Sequence, residues 1–132
     1  MAETVLEVAP GITQELWTFN GTAPGPTLRG KVGDTFEVTV VNKGKVSHSI
    51  DFHASMTPMD VDMRTLKPGE SLVYTFKANY SGTWMYHCAT SPTLHHIGNG
   101  MHGQVIIDPP NLPPVDHEFT LVQSEYYFGP QG

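Results

Sequence analysis

At 132 residues, with 39% hydrophobic and 15% charged residues, the chain is sized for one globular domain with its own core, and a second domain of ordinary size is excluded. Seven Lys and Arg against thirteen Asp and Glu give a formal net charge of -6, which removes the basic footprint needed to grip nucleic acid or anionic lipid. No apolar run approaches the roughly 20 residues of a membrane helix, and Met1-Ala2-Glu3-Thr4 lacks the basic and apolar stretches of a secretory signal, so a soluble chain is expected.

Helical periodicity is nearly absent, and short alternating β-branched and aromatic runs recur instead between Gly, Pro and Asn. In chain order the candidate strands are residues 4–8, 14–19, 35–42, 47–53, 71–78, 83–88, 103–108 and 117–124. Turn signals stand between them at Asn20-Gly21, Pro24-Gly25-Pro26, Gly33-Asp34, Pro68-Gly69 and Ser81-Gly82. This pattern predicts an all-β Greek-key β-sandwich. Residues 1–108 would form the main sandwich, and residues 109–132 a proline-rich connector and a final strand, because four prolines within Asp108-Pro109-Pro110-Asn111-Leu112-Pro113-Pro114 cannot donate to a ladder.

Strand alternation assigns the faces. Within 83–88, Trp84, Tyr86 and Cys88 should face the core, with Met85 and His87 opposite. Within 48–53, His48, Ile50 and Phe52 should face the core, with Ser49, Asp51 and His53 outward.

The chain has one cysteine, so Cys88 makes no internal disulfide and is a buried thiol, a nucleophile or a metal ligand. Of seven histidines, His87, His95, His96 and His102 crowd into the same short stretch as Cys88 and Met101. Cys88, then seven residues, His96, then four residues and Met101 place a thiolate, an imidazole and a thioether on one loop between two strands, and an inward His48 completes the set. Two histidines and a thiolate with a weak axial methionine are the ligands of a blue-copper electron-transfer site, because soft sulfur suits Cu(I) and imidazole suits both oxidation states. His95 is an alternative to His96, although the spacing to Met101 favours His96. Zinc also accepts one cysteine and two histidines, but methionine is a poor zinc ligand.

If the strands carrying His48 and Cys88 are neighbours, His53 and His87 meet on the opposite surface with Asp51 beside them. Two imidazoles leave a metal short of ligands, so a third would come from another chain. Met56, Met59 and Met63 read as flexible packing over the site rather than Cu(I) capture. No partner is evident for His102 or His117.

These residues resemble the first cupredoxin domain of copper-containing nitrite reductases and related multicopper oxidases. The resemblance runs through Thr18-Phe19-Asn20-Gly21, Pro24-Gly25-Pro26-Thr27-Leu28, Gly33-Asp34, His48 to His53, Pro68-Gly69-Glu70, Ser81-Gly82-Thr83, Tyr86-His87-Cys88-Ala89 and Gly100-Met101, nearly the whole chain. It implies type 1 copper on His48, Cys88, His96 and Met101. It further implies that His53 and His87 are two ligands of a type 2 copper, and that Asp51 is an acid passing protons to substrate. His48, Asp51, Phe52 and His53 follow the nitrite reductase spacing, whereas laccase-like first domains carry His-x-His pairs, absent here. The loop from Cys88 to His96 is slightly shorter than in those reductases, with His95 where they often carry tryptophan. They also have a second cupredoxin domain, which would begin where this chain stops, so a lone first domain is expected. The implied partners are a small redox protein as electron donor or acceptor and, for a type 2 site, a second cupredoxin domain or a homotrimer. The family also implies a periplasmic or extracellular location. The expected activity is one-electron transfer; the alternative is an oligomeric copper nitrite reductase or multicopper oxidase that reduces nitrite or oxygen at a type 2 copper site on a subunit interface.

Overall fold

A computed structural model describes residues 1–129, and eight strands form among them in three sheets. β1 (Ala2–Ala9) and β2 (Ile12–Thr18) make an antiparallel hairpin in which Leu6 faces Gln14. β4 (Thr35–Val41) pairs antiparallel with β6 (Ser71–Lys77). The third sheet carries four strands in the order β3 (Leu28–Lys31), β8 (His102–Asp108), β7 (Gly82–His87) and β5 (Asp51–Phe52), with β3 parallel to β8 and the other pairs antiparallel. Two short helices interrupt the β pattern, α1 (Met59–Asp62) and α2 (Thr93–Gly98).

The sheets meet over an aromatic core. Phe52 packs against Tyr74, Phe76 and Tyr86 with ring centroids 5.1, 5.2 and 5.4 Å away, and Phe19 closes on Tyr86 at 5.3 Å. The Tyr86 hydroxyl donates to the Pro26 carbonyl at 2.6 Å, which satisfies its polar end. The ring of Tyr86 lies so close to Gly103 on β8 that a Cβ there would sit 2.3 Å from it, so only glycine fits. Leu66, Cys88, Met101 and Val105 are fully buried in the same core.

Two expected strands differ from this architecture. The run 47–53 yields only the two residues of β5, preceded by a single bridge between His48 and Leu66. The Ser49 N–H, which a regular ladder would direct to a carbonyl, donates to Cys88 Sγ at 3.3 Å, and after Phe52 the chain turns through a short 3-10 turn at His53–Ser55. No strand forms over 117–124 either. A strand requires a neighbour's ladder, and none is offered there, so Phe119 and Leu121 stand 83% and 88% exposed. Side chains fasten this segment instead: Arg29 forks between Asp108 and Glu118, and the Tyr126 hydroxyl donates to the Ala23 carbonyl at 3.0 Å. The last part of the expected 109–132 unit, residues 130–132, lies outside the described residues.

Candidate metal centre

β7 runs directly into Cys88, and one short helix shapes the loop that follows. Residues 89–92 lead into α2, which carries His96, and Gly100 and Met101 return the chain to β8. Gly100 has φ +110°, and a Cβ there would lie 2.9 Å from Ala23 Cβ and 3.0 Å from the Trp17 carbonyl oxygen, so glycine is required at this return. The Cys88 N–H donates to the Met101 carbonyl at 3.0 Å, and the Met101 N–H donates to the His96 carbonyl at 3.2 Å. Met101 is thereby bonded through its backbone to both neighbouring candidate ligands, and its side chain is fully buried.

His48 arrives from the other side. Its N–H and carbonyl both bond to Leu66, at 3.0 and 2.7 Å, which fixes its backbone ahead of β5. The donor atoms of His48, Cys88 and His96 lie within 4.8 Å of one another, and all three residues are buried. His48 Nδ1 stands 3.2 Å from His96 Nδ1, which in turn stands 3.3 Å from Cys88 Sγ. Burial, and then the neighbouring His96 imidazole, holds the His48 pKa down at about 4. Burial, followed by the nearby His95, lowers that of His96. Both rings are therefore neutral at pH 7, the form that offers a lone pair to a metal. One buried thiol and two neutral imidazoles converging on a point are a soft, mixed sulfur and nitrogen donor set, the kind that suits copper. His95, although adjacent to His96 in α2, does not join this group.

On the opposite side of β7, Asp51, His53 and His87 bring their donor atoms within 4.8 Å of one another. Register explains the meeting, because Asp51 is the direct cross-strand partner of His87. His87 Nδ1–H donates to the Cys88 carbonyl at 3.0 Å, and its Nε2 lies 3.0 Å from His53 Nε2. Asp51 Oδ2 is 4.0 Å from His53 Nε2, while Asp51 Oδ1 is buried without a hydrogen-bond partner. Alternation places these residues on the face away from Cys88 as expected, but only the His53 side chain is well exposed, and Asp51 and His87 are buried.

Ser49, expected to face solvent, is completely buried beside Cys88. Besides its N–H bond to sulfur, its hydroxyl oxygen accepts from the Ala89 N–H and from the Thr90 hydroxyl, both at 3.0 Å. Strand parity fails at Ser49 because the chain there is not in a ladder, and adjacency to His48 was its only signal in the sequence. Trp17 is a second residue that the sequence did not bring to the site: its indole packs against the rings of His48 and His96. Of the three loop methionines, Met63 packs on the core, but Met56 and Met59 stand exposed rather than covering the site. His102 is buried and its Nδ1–H donates to the Ile97 carbonyl at 3.3 Å, whereas His117 lies exposed in the tail.

The family profile described as multicopper oxidase matches residues 1–112. The chain belongs to that family. Among its curated relatives is the copper-containing nitrite reductase of Neisseria meningitidis serogroup A, 38% identical over 129 residues that take in 95% of this chain and 33% of the relative. The copper-containing nitrite reductase of Alcaligenes xylosoxydans is 40% identical, with 89% of this chain and 39% of the relative covered. The chain thus spans about a third of the length of these curated relatives. Among solved structures, copper nitrite reductase from Nitrosomonas europaea superposes with a TM-score of 0.78 at 40% identity, over 89% of this chain and 45% of that one. A multicopper oxidase crystal structure gives 0.75 at 37%, over 87% and 43%. The fold shared with these family members is the cupredoxin β-sandwich: the strand pattern predicts the sandwich, and the resemblance implies the cupredoxin class.

Proposed function

We propose that this domain is a type 1 copper protein carrying single electrons, with His48, Cys88 and His96 as the strong ligands and Met101 as a weak axial one. The observation that carries this reading is the buried convergence of one sulfur and two imidazole nitrogens within 4.8 Å. Copper in such a site supplies a one-electron couple between Cu(I) and Cu(II). The chain's own part is to hold the donors before and after the electron passes, so that little reorganises. Backbone bonds through Met101 and Leu66 fix the ligand backbones, and the Ser49 N–H donates to the sulfur. Electrons would come from or go to a small redox protein. The test is voltammetry of the copper-loaded chain: one reversible one-electron couple is expected, and its absence in a protein that retains copper would contradict the reading.

A second reading is favoured by one observation of its own, the group of Asp51, His53 and His87 with its unpartnered Asp51 oxygen. In an assembly, His53 and His87 would be two ligands of a type 2 copper, and Asp51 would hand a proton to bound nitrite. The curated relatives named copper-containing nitrite reductases support this direction. With two imidazoles from one chain, the third ligand would come from a second cupredoxin domain or from a neighbouring subunit of a homotrimer. The periplasm or cell exterior would be the setting. Nitrite turnover that appears only when such a partner is present supports this second reading; fast turnover by a verified monomer contradicts the electron-carrier assignment.

A further inference from the structure

We propose that Trp17 is the positioning residue of the sulfur and imidazole centre, holding the rings of His48 and His96 in their ligating orientation and keeping water from that side. The proposal rests on the assignment of His48, Cys88 and His96 as metal ligands made above.

Trp17 comes from β2, which pairs only with β1 and shares no ladder with the sheet that delivers Cys88. It is nevertheless buried, at 8% exposure, and its indole meets both ligand rings. Its centroid lies 5.3 Å from that of His48 in an edge-on contact at 64°, and 4.7 Å from that of His96 at 53°. The two imidazoles come from separate parts of the chain and stand nearly perpendicular, at 84°. One side chain therefore braces two ligands that no regular ladder ties to each other.

The backbone of Trp17 grips the same loop. Its N–H donates to the Asn99 carbonyl at 2.9 Å, and the Asn99 side-chain amide donates to the His95 carbonyl at 2.9 Å. Its carbonyl oxygen sits where a Cβ on Gly100 would approach to 3.0 Å, so Gly100 is pressed against it. The His95 ring covers another part of the indole, 5.1 Å away.

An imidazole turns easily about its last side-chain torsion, which is broad and roughly two-fold. Only one of its orientations directs Nδ1 at the centre. A rigid ring packed against both histidines removes the other orientation without using either nitrogen, so both lone pairs stay free for metal. Outer groups that orient ligands in this way typically change metal affinity by about 10- to 100-fold when removed.

The experiment uses the full chain in a Trp84→Phe background, which leaves Trp17 as the sole tryptophan and removes an indole N–H that is buried without a partner. Cu(II) added to this parent should quench Trp17 emission in step with the rise of the thiolate-to-copper absorption. Trp17→Leu, which fills space without a ring, should raise the copper dissociation constant about 10- to 100-fold and shift the absorption, with circular dichroism of the apoprotein unchanged. Trp17→Phe should restore most of the affinity. Trp17→Leu matching Trp17→Phe in affinity, absorption and reduction potential would overturn the proposal, as would unquenched emission in a parent that turns blue. A parent that binds no copper through its thiolate would sink the metal assignment and this proposal with it, whereas a normal parent with indifferent Trp17 variants sinks this proposal alone.

Discussion

Ser49 does three things at once: its N–H donates to the Cys88 sulfur, and its hydroxyl oxygen accepts from Ala89 and Thr90. Ser49→Ala keeps the backbone bond but strands a buried N–H, at a cost of about 1–3 kcal/mol. Denaturant unfolding of the apoprotein should show that loss, and an unchanged midpoint would mean that water or another group replaces the hydroxyl. Met101 is different, because its predicted role is electronic. Met101→Leu nearly conserves volume in a fully buried position and so should leave the fold intact. The protein should stay blue and become a stronger oxidant, since losing an axial donor destabilises Cu(II) relative to Cu(I). A lower potential measured by voltammetry in a still-blue variant would argue against that role. The convergence of His48, Cys88 and His96 was legible in the sequence because it follows from residue type and spacing. Ser49 was not, since its contribution comes from a backbone N–H and from burial that alternation assigns to the wrong side.

The return from α2 to β8 depends on one backbone conformation at Gly100. Gly100→Ala combines a left-handed φ with contacts of 2.9 and 3.0 Å, and strain of this kind costs about 1–3 kcal/mol. Reduced thermal stability together with weaker copper binding is expected; wild-type values for both would show that the loop relaxes freely. The tail raises a separate question, because residues 117–124 have the alternation of a strand but no ladder. Arg29 is its main ionic anchor through Glu118, so Arg29→Ala should speed limited proteolysis within 110–128 while the sandwich survives. Equal cleavage rates would show that Tyr126 and its neighbours suffice. Most strands were legible because β-branched and aromatic residues alternate across a half-buried sheet. β3 was hidden, because Leu-Arg-Gly-Lys carries no such pattern and pairs by virtue of its place beside β8. The 47–53 run and the tail were over-read for the opposite reason: alternation is present, but ladder partners are set by the rest of the fold.

Across the whole molecule, the end of β7 and the residue after it send donor groups to opposite sides, His87 away from the core and Cys88 toward it, joined by a single peptide and by the His87 bond to the Cys88 carbonyl. The pairing of His87 with Asp51 follows from the same ladder, so the two clusters stand back to back. Replacing His53 and His87 together by Ala should therefore leave the blue absorption nearly intact and remove any second, colourless Cu(II) signal in electron paramagnetic resonance. Loss of the blue band in that double variant would show that the two clusters are one site. The most direct measurement is the visible spectrum of the purified chain during titration with Cu(II), run beside Cys88→Ser. The wild-type chain should develop an intense thiolate-to-copper band that saturates at one equivalent and is bleached by ascorbate, and Cys88→Ser should stay colourless. A wild-type chain that binds copper without this band, or a Cys88→Ser protein that keeps it, would contradict the assignment of His48, Cys88 and His96 as a type 1 copper centre.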